Sequence, residues 1–272
     1  MLASIPIEFV WFFCVSLVIC LPGFYRMVYF ISTGYAFSIA VIAVLSMVLF
    51  RQVLTPLAVA HGVGLLLYGL RLGSFLVKRE LTSQAYRREL EEAAAESSRI
   101  PLVGSVGIWL SVAVLYVSMA SPLGFVLTAP APTGAGLVAQ GIGVALLFGG
   151  LLLETVADHQ KSVFKREQPR RFCDVGLYRI VRCPNYLGEV TVWVGSTLAA
   201  VGAYTHWARW GLAVTGFVCI VLIMVGSTRR LELKQDARYG EREDYQEYIA
   251  HTPILWPLLP IYSFKNAKIY LG

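Results

Sequence analysis

The sequence predicts an all-α integral membrane protein with seven transmembrane helices, its N-terminus outside and its C-terminus cytoplasmic. Three observations indicate this class. The 272 residues are 57% hydrophobic and only 15% charged, whereas soluble domains contain about 25% charged residues. The mean hydropathy is +0.63. The apolar residues are gathered in long runs separated by polar blocks. Together these features exclude an ordinary soluble domain.

Seven apolar runs are long enough to cross a bilayer, which takes about 20 mostly apolar residues. The first run lacks a basic leader and a small-residue cleavage site, so we expect a retained helix and not a signal peptide. The predicted spans lie at residues 5–24, 28–50, 54–77, 101–127, 134–157, 185–204 and 208–227.

The distribution of Lys and Arg sets the predicted orientation. With seven spans, the polar blocks at 78–100, 158–184 and 229–272 all fall on one side. Of the 23 Lys and Arg residues, all but Arg51 and Arg209 then lie on that side, which the positive-inside rule assigns to the cytoplasm. The pI of about 9.1 is explained by this orientation and by contact with anionic lipid, so we expect no nucleic-acid partner.

Five cysteines occur, and no two of them form a C-x-x-C pair. Three lie in apolar runs, where cysteine behaves as a small hydrophobic residue. We therefore expect neither a disulfide framework nor a metal site.

Charged residues recur on one face of the fifth span and its extension. Charges within spans cost about 2.5–3.5 kcal/mol each on insertion scales and are candidates for function. The residues Glu154, Asp158, Lys161 and Lys165 are spaced by four, three and four, which places them on one helical face. A solvated helix end with internal ion pairs is the alternative.

A second polar face opens the sixth span. Asn185, Glu189 and Trp193 follow one another at intervals of four, and Pro184 suits the first helical turn, where its missing N–H costs nothing. Arg182 is predicted at the cytosolic rim just before it. The alternative is a buried hydrogen-bonded pair that only holds helices together.

Two further faces complete the set. Ser227, Arg230 and Lys234 share a face at the end of the seventh span, where membrane anchoring is the alternative. In the third span, Tyr68 lies about ten residues from the end of the run and so near the bilayer midplane, where its hydroxyl needs a partner. His61 precedes it on the same helix.

The faces on spans five to seven predict one polar pocket open to the cytosol. Cations for phosphate, carboxylates for ribose hydroxyls and aromatic rings for stacking suit a large anionic cofactor. The sequence has no G-x-G-x-x-G, P-loop or H-E-x-x-H motif, so the pocket is neither a Rossmann site nor a zinc protease site.

Two stretches carry a family resemblance. DVGLYRIVRCPNYLGEVTVWVGSTLAA (174–200) and GSTRRLELKQDARYGEREDYQEYIAHTPILWPLLP (226–260) resemble the C-terminal half of the steroid 5α-reductase family. This family includes bacterial members described as a domain of unknown function, DUF1295, and lies within a wider superfamily of isoprenylcysteine methyltransferase-like membrane proteins.

The resemblance implies a seven-helix membrane enzyme that binds NADPH in a cytosol-facing cavity. It implies reduction of the C=C bond of a 3-oxo-Δ4 steroid or a similar enone lipid. Residues 1–100 would then form the substrate side of a single membrane domain, and residues 101–272 its NADPH-binding half. Matches to the family's cofactor contacts, together with nearby basic groups, give these cofactor-binding candidates: Asp158, Lys165, Asn185, Glu189, Arg229, Arg230, Arg79, Arg170 and Arg171. The basic groups could hold both the pyrophosphate and a 2′-phosphate, which NADPH has and NADH lacks, so we expect NADPH.

The resemblance also assigns catalytic and substrate residues. Tyr68 matches the family's catalytic tyrosine, three residues before Arg71, and would donate a hydrogen bond to the enone oxygen. The family has His where this chain has Cys183, and its animal members have Gln-Glu on the second span where Ser32 and Thr33 stand here. The second donor would therefore be Ser32, Thr33 or Tyr35, and the residues predicted to line the substrate site are Tyr35, His61 and Arg71.

Two other functions remain open from the sequence. One is an S-adenosylmethionine-dependent methyltransferase of a lipid or prenylated substrate. The other is a non-enzymatic sterol-binding membrane protein. For the reductase we expect a monomer whose partners are membrane lipid and a steroid or enone lipid, in a bacterial inner membrane rather than the endoplasmic reticulum.

Overall fold

The computed structural model describes residues 5–97 and 100–267, and within these ranges the chain is helical, with no β-strand. Short 3₁₀ segments connect several of the helices. The α-helices are α1 (Phe9–Ile19), α2 (Val28–Ile31), α3 (Thr33–Leu49), α4 (Pro56–Thr82), α5 (Gln84–Ser97), α6 (Leu102–Thr128), α7 (Gly134–Glu167), α8 (Pro184–Ala199), α9 (Trp207–Tyr239) and α10 (Glu243–His251).

Within the described ranges, five helical stretches are long and apolar enough to cross a membrane: Val28–Leu49, which joins α2 and α3, and then α4, α6, α7 and α9. The all-α multi-pass membrane class is thereby confirmed. The predicted first and sixth spans correspond to shorter helices, α1 with 11 residues and α8 with 16. At about 1.5 Å per residue, both are shorter than the roughly 30 Å hydrocarbon core.

Three helices continue beyond the apolar runs that predicted them. α4 ends at Thr82, α7 at Glu167 and α9 at Tyr239. The added turns contain Lys, Arg, Glu and Gln, which are good helix formers in water. These extensions carry several of the charged candidate residues beyond the apolar part of each helix.

By internal contacts the chain groups into two compact units. The first contains residues 1–144 and 196–217, and the second contains residues 145–195 and 218–272. The boundaries fall within α7, α8 and α9, so each of these long elements contributes one part to each unit.

In the first unit, small residues let α3 and α4 approach closely. A Cβ added at Gly69 would lie 2.4 Å from the carbonyl oxygen of Ala36, and contacts of this kind are common between membrane helices. The indole of Trp109 on α6 donates to the carbonyl of Leu17 at 2.8 Å. This packing brings the buried face of α4, which contains Tyr68, against α3.

In the second unit, α7 and α8 pack as closely. A Cβ at Gly150 would lie 2.6 Å from the carbonyl oxygen of Gly188 and from the amide nitrogen of Val192, and a Cβ at Gly188 would lie 2.7 Å from the amide nitrogen of Glu154. Later residues of α7 thus meet earlier residues of α8, so these parts run antiparallel. One turn further on, Asp158 comes level with the start of α8.

The loop that leads into α8 is fixed by a glycine turn. Gly176 has φ +59°, and a Cβ there would lie 2.4 Å from Oε1 of Gln160, so this position favours glycine on both counts. The same Oε1 accepts a hydrogen bond from the amide of Leu177 at 2.9 Å. Cys173 and Tyr178, on either side of the turn, pack against α7. The loop is thereby held on α7, and α8 begins at Pro184, as predicted.

Candidate functional site

A polar cluster lies where α7, α8 and α9 meet inside the second unit; we call it the α7–α9 site. Glu189 is only 5% exposed, and Asn185 lies one turn before it on the same face of α8. Among the described residues, Oδ1 of Asn185 is buried and has no hydrogen-bond partner. The site therefore combines a buried carboxyl group with an amide oxygen whose hydrogen-bonding capacity the protein leaves unmet.

α9 brings a cation to the same region. Val225 on α9 packs in one cluster with Cys183, which lies two residues before Asn185. Arg229 is one turn beyond Val225 and so lies on the same face of α9. Its Nε donates to the carbonyl of Lys265 at 3.2 Å, which fixes the direction of the side chain.

Tyr178 was not among the candidates predicted from the sequence. This residue is 2% exposed, and its hydroxyl has no hydrogen-bond partner among the described residues. Burial, and next the nearby carboxylate of Asp158, raise the pKa of Tyr178 far above its ordinary value, so the phenol stays protonated and can donate. Lys161 lies 5.9 Å from the ring centroid. The only signal for Tyr178 in the sequence was an aromatic residue after Gly176 and Leu177 in the stretch 174–200 that carries the family resemblance.

Other predicted phosphate ligands are engaged further along the helices. Lys165 donates to the carbonyl of Arg171 and, at 3.0 Å, to the hydroxyl of Tyr239, while Arg171 pairs with Asp174 at 2.7 Å. Tyr239 lies ten residues beyond Arg229 on α9, about 15 Å along its axis. The structure thus gathers Lys165 and Arg171 into a second cluster around Tyr239. Two further candidates, Arg170 and Arg230, are exposed.

In the first unit, Tyr35 and Tyr68 form a buried pair. Their hydroxyl oxygens lie 2.7 Å apart, and the two residues are 6% and 0% exposed. Ser32 instead donates to the carbonyl of Val28 at 2.8 Å, and Thr33 lines a separate groove of about 270 Å³ beside Glu80. Of the three predicted second donors, the structure therefore brings Tyr35 to Tyr68.

The remaining candidates on α4 have different surroundings. His61 is fully buried, with its Nε2 2.8 Å from Oγ of Ser196, so it joins α4 to the second half of α8 inside the first unit. Arg71 is partly buried. The guanidinium of Arg79 lies 4.2 Å from the ring centroid of Tyr86, a cation–π contact at the polar end of α4.

Arg182 is not at the rim where the sequence placed it. It is 3% exposed and forms an ion pair with Glu232 at 2.9 Å. The partner lies fifty residues away in the sequence, so local hydropathy gave no sign of it. Arg182 lies two residues before the start of α8, so the ion pair ties the beginning of α8 to α9.

Cys183 fills the place of the family's His as a buried apolar group. It packs with Val225, Ile254 and Leu255, and burial raises the pKa of its thiol from 9.0 to about 11. Because thiols react as thiolates, we expect Cys183 to resist maleimide at pH 7.5 in the folded protein and to react after denaturation. Mass spectrometry of a variant that keeps only Cys183 tests this, and rapid labelling of the folded form would contradict it.

The same shift predicts a dependence of stability on pH. Between about pH 9 and pH 11 the folded protein keeps a proton on Cys183 that the unfolded chain loses. The unfolded state then binds fewer protons, so the contribution of this thiol to the free energy of unfolding falls as pH rises through that window.

The fold and these clusters define a multi-pass helical membrane protein with buried polar groups in both of its units. Residues 19–252 match the family described as Protein of unknown function (DUF1295). The chain therefore belongs to the DUF1295 family. The comparisons with curated proteins and with solved structures returned no match.

Proposed function

We propose that this protein is an NADPH-dependent reductase of the C=C bond of a 3-oxo-Δ4 steroid or a similar enone lipid. The observation that carries the proposal is the α7–α9 site, where buried polar atoms of Asn185 and Tyr178 have no partner among the described residues. Buried polar groups are nearly always hydrogen-bonded. Asn185 lies one turn from Glu189 on α8, and Tyr178 lies near Asp158, so the two unmet atoms support a polar ligand as their partner.

The residues of the site fit a nicotinamide nucleotide. Glu189 and Asp158 can accept hydrogen bonds from ribose hydroxyls, Asn185 can pair with an amide or a hydroxyl, and Arg229 supplies a cation for phosphate. Tyr178 adds a protonated phenol that can donate to a phosphate or a ribose oxygen. When bound, NADPH would supply a hydride for the β-carbon of the enone, and uptake of a proton at the α-carbon would complete the reduction.

The tyrosine pair of the first unit suits the other half of the reaction. Reduction of an enone builds negative charge on its carbonyl oxygen, and a preorganised donor aimed at that oxygen lowers the barrier. A phenol keeps its proton at neutral pH, so Tyr68 can donate to the oxygen. Tyr35, at 2.7 Å, can donate to Tyr68 in turn and strengthen its bond, since linked hydrogen bonds polarise one another. The apolar helices around the pair exclude water.

The proposal includes the membrane arrangement predicted above. Seven spans, with α1 and α8 as the short ones, place the N-terminus outside and the C-terminus in the cytoplasm. The polar extensions of α4, α7 and α9 then face the cytosol, where NADPH is available. We propose a monomer in a bacterial inner membrane.

Asn185→Ala tests the cofactor site. We expect the dissociation constant for NADPH to rise by up to about tenfold, since a hydrogen bond between uncharged groups is worth about 0.5–1.5 kcal/mol. Fluorescence of NADPH bound to the detergent-purified protein measures it. Gln52→Ala, which removes an exposed side-chain amide, is the matched control and should leave the constant unchanged. Equal affinities for the two variants would remove Asn185 from the site.

Protection against heat identifies the ligand class. Stabilisation by NADPH supports the reductase, because a ligand that binds only the folded state raises its stability. Stabilisation by S-adenosylmethionine alone would replace it with the methyltransferase. If a sterol bound but no NADPH were consumed in the presence of an enone, the result would instead support a non-enzymatic sterol-binding protein.

A further inference from the structure

Beyond α10, the chain from Pro253 to Lys265 contains no helix and turns back on itself, with the amide of Ile254 donating to the carbonyl of Ile261 at 2.9 Å. We call this segment the C-terminal strap. The amide of Arg182 donates to the carbonyl of Pro253 at 2.9 Å, and the amide of Cys183 donates to the carbonyl of Ile254 at 3.1 Å. These two bonds tie the strap to the residues directly before α8. Ile254 and Leu255, at 1% and 0% exposure, seal the contact with apolar packing.

The ion pair of Arg182 and Glu232 anchors the strap. Both side chains are only 2% exposed, and burying such a pair is costly unless its other hydrogen-bonding groups are also satisfied. The strap satisfies part of this need, because Arg182 also donates to the carbonyl of Tyr262. Glu232 in turn accepts from the amide of Phe264 at 2.9 Å. The strap, α8 and α9 thus share one buried charged centre.

The far end of the strap reaches Arg229. The carbonyl of Lys265 accepts from Nε of Arg229 at 3.2 Å, and the ammonium group of Lys265 pairs with Asp236 on α9. The strap therefore makes direct contact with the cation of the α7–α9 site, and it also holds the backbone two residues before Asn185.

We propose that the C-terminal strap positions the ligand-binding residues Asn185 and Arg229, with Arg182 and Glu232 as its positioning pair. The nature of the ligand, a nicotinamide nucleotide, rests on the proposed function. The strap acts by fixing the first turn of α8 and the direction of Arg229, so that both present their polar groups together. The residues of the pair themselves stay buried and do not touch the ligand.

Glu232→Gln is the main test, since it removes the charge of the anchor and keeps its shape. We expect hydrogen–deuterium exchange to rise over residues 182–189 and the dissociation constant for NADPH to rise about tenfold, by analogy with the roughly 10–100-fold losses seen when groups that support metal ligands are removed. The preference for NADPH over NADH should also fall, because Arg229 loses its orientation. Lys265→Ala releases the exposed end of the strap and should give the same changes at a smaller size, even if the anchor variant fails to fold.

Asp244→Asn is the matched control. It breaks the ion pair between Arg242 and Asp244, at 2.8 Å and about half exposed, which lies outside the strap. None of the three readouts should change. Unchanged exchange in both strap variants would contradict the proposal that the strap holds the first turn of α8. Increased exchange with unchanged nucleotide affinity would contradict its role in positioning the ligand-binding residues. If the unaltered protein bound no nicotinamide nucleotide, the proposed function would fail, while the exchange experiment would still decide whether the strap holds α8.

Discussion

Tyr68→Phe is expected to lower kcat for NADPH-dependent reduction of testosterone or progesterone at least a hundredfold. Removing one donor to a developing oxyanion costs roughly 10²–10³ in kcat. The dissociation constant for NADPH should not change, because Tyr68 is assigned to the oxygen of the enone and not to the nucleotide. Steady-state kinetics of the detergent-purified protein, with NADPH absorbance as the signal, measure the effect.

Tyr116→Phe is the control for this substitution. Tyr116 is also a buried tyrosine of the first unit, at 2% exposure, but its hydroxyl donates to the carbonyl of Phe30. Loss of this hydroxyl should lower the free energy of unfolding by about 1 kcal/mol. It should leave kcat within about twofold, which corresponds to a change in the activation barrier of only about 0.4 kcal/mol. If Tyr68→Phe behaves like Tyr116→Phe, the hydroxyl of Tyr68 has no part in the reaction.

Gly150→Ala is expected to have the largest effect on the fold. The added Cβ would lie 2.6 Å from backbone atoms of both Gly188 and Val192, and backbone cannot move aside as a flexible side chain does. The helices α7 and α8 must separate, which costs about 1–3 kcal/mol for an overpacked contact. The same shift displaces Asn185 from Asp158, so NADPH binding should weaken together with thermal stability.

Gly149→Ala, at the neighbouring position, separates this effect from helix propensity. A Cβ at Gly149 meets no atom within 4 Å, and Ala is favoured over Gly in a helix by about 0.8–1.0 kcal/mol. We expect stability to be unchanged or slightly raised and NADPH affinity to be unaffected. Equal midpoints of thermal unfolding for the two variants would contradict the close approach of α7 and α8.

The apolar runs located the five helical stretches long enough to cross a membrane, because runs of this length have few other structures available to them. The helices α5 and α10 lie in polar blocks and had no hydropathy signal. The sequence located the ends less well. Hydropathy marks only the apolar part of a helix. The helices α7 and α9 continue beyond it to Glu167 and Tyr239, through polar residues that also form helix in water. The close contacts of Gly150 and Gly188 could not be predicted, because a glycine in an apolar run does not reveal which helix will pack against it.

The candidate site was predictable only where its residues repeat along one helix. Asn185 and Glu189 share a face of α8, and spacing alone reveals that. The pairing of Tyr35 with Tyr68 depends on how α3 packs against α4, and the pairing of Arg182 with Glu232 joins two distant helices. Such contacts are set by tertiary packing, so the sequence left the second donor open among three residues and placed Arg182 at the cytosolic rim.

The C-terminal strap has a consequence for the evolution of the family. The match to DUF1295 ends at residue 252, and the strap begins at Pro253, yet the charges that it covers, Arg182 and Glu232, lie inside the matched region. A relative that lost the strap would leave this pair without the carbonyl of Tyr262 and the amide of Phe264. We therefore expect the strap, Arg182 and Glu232 to be inherited together. Homologues with a shorter C-terminus should carry uncharged residues at the positions of Arg182 and Glu232.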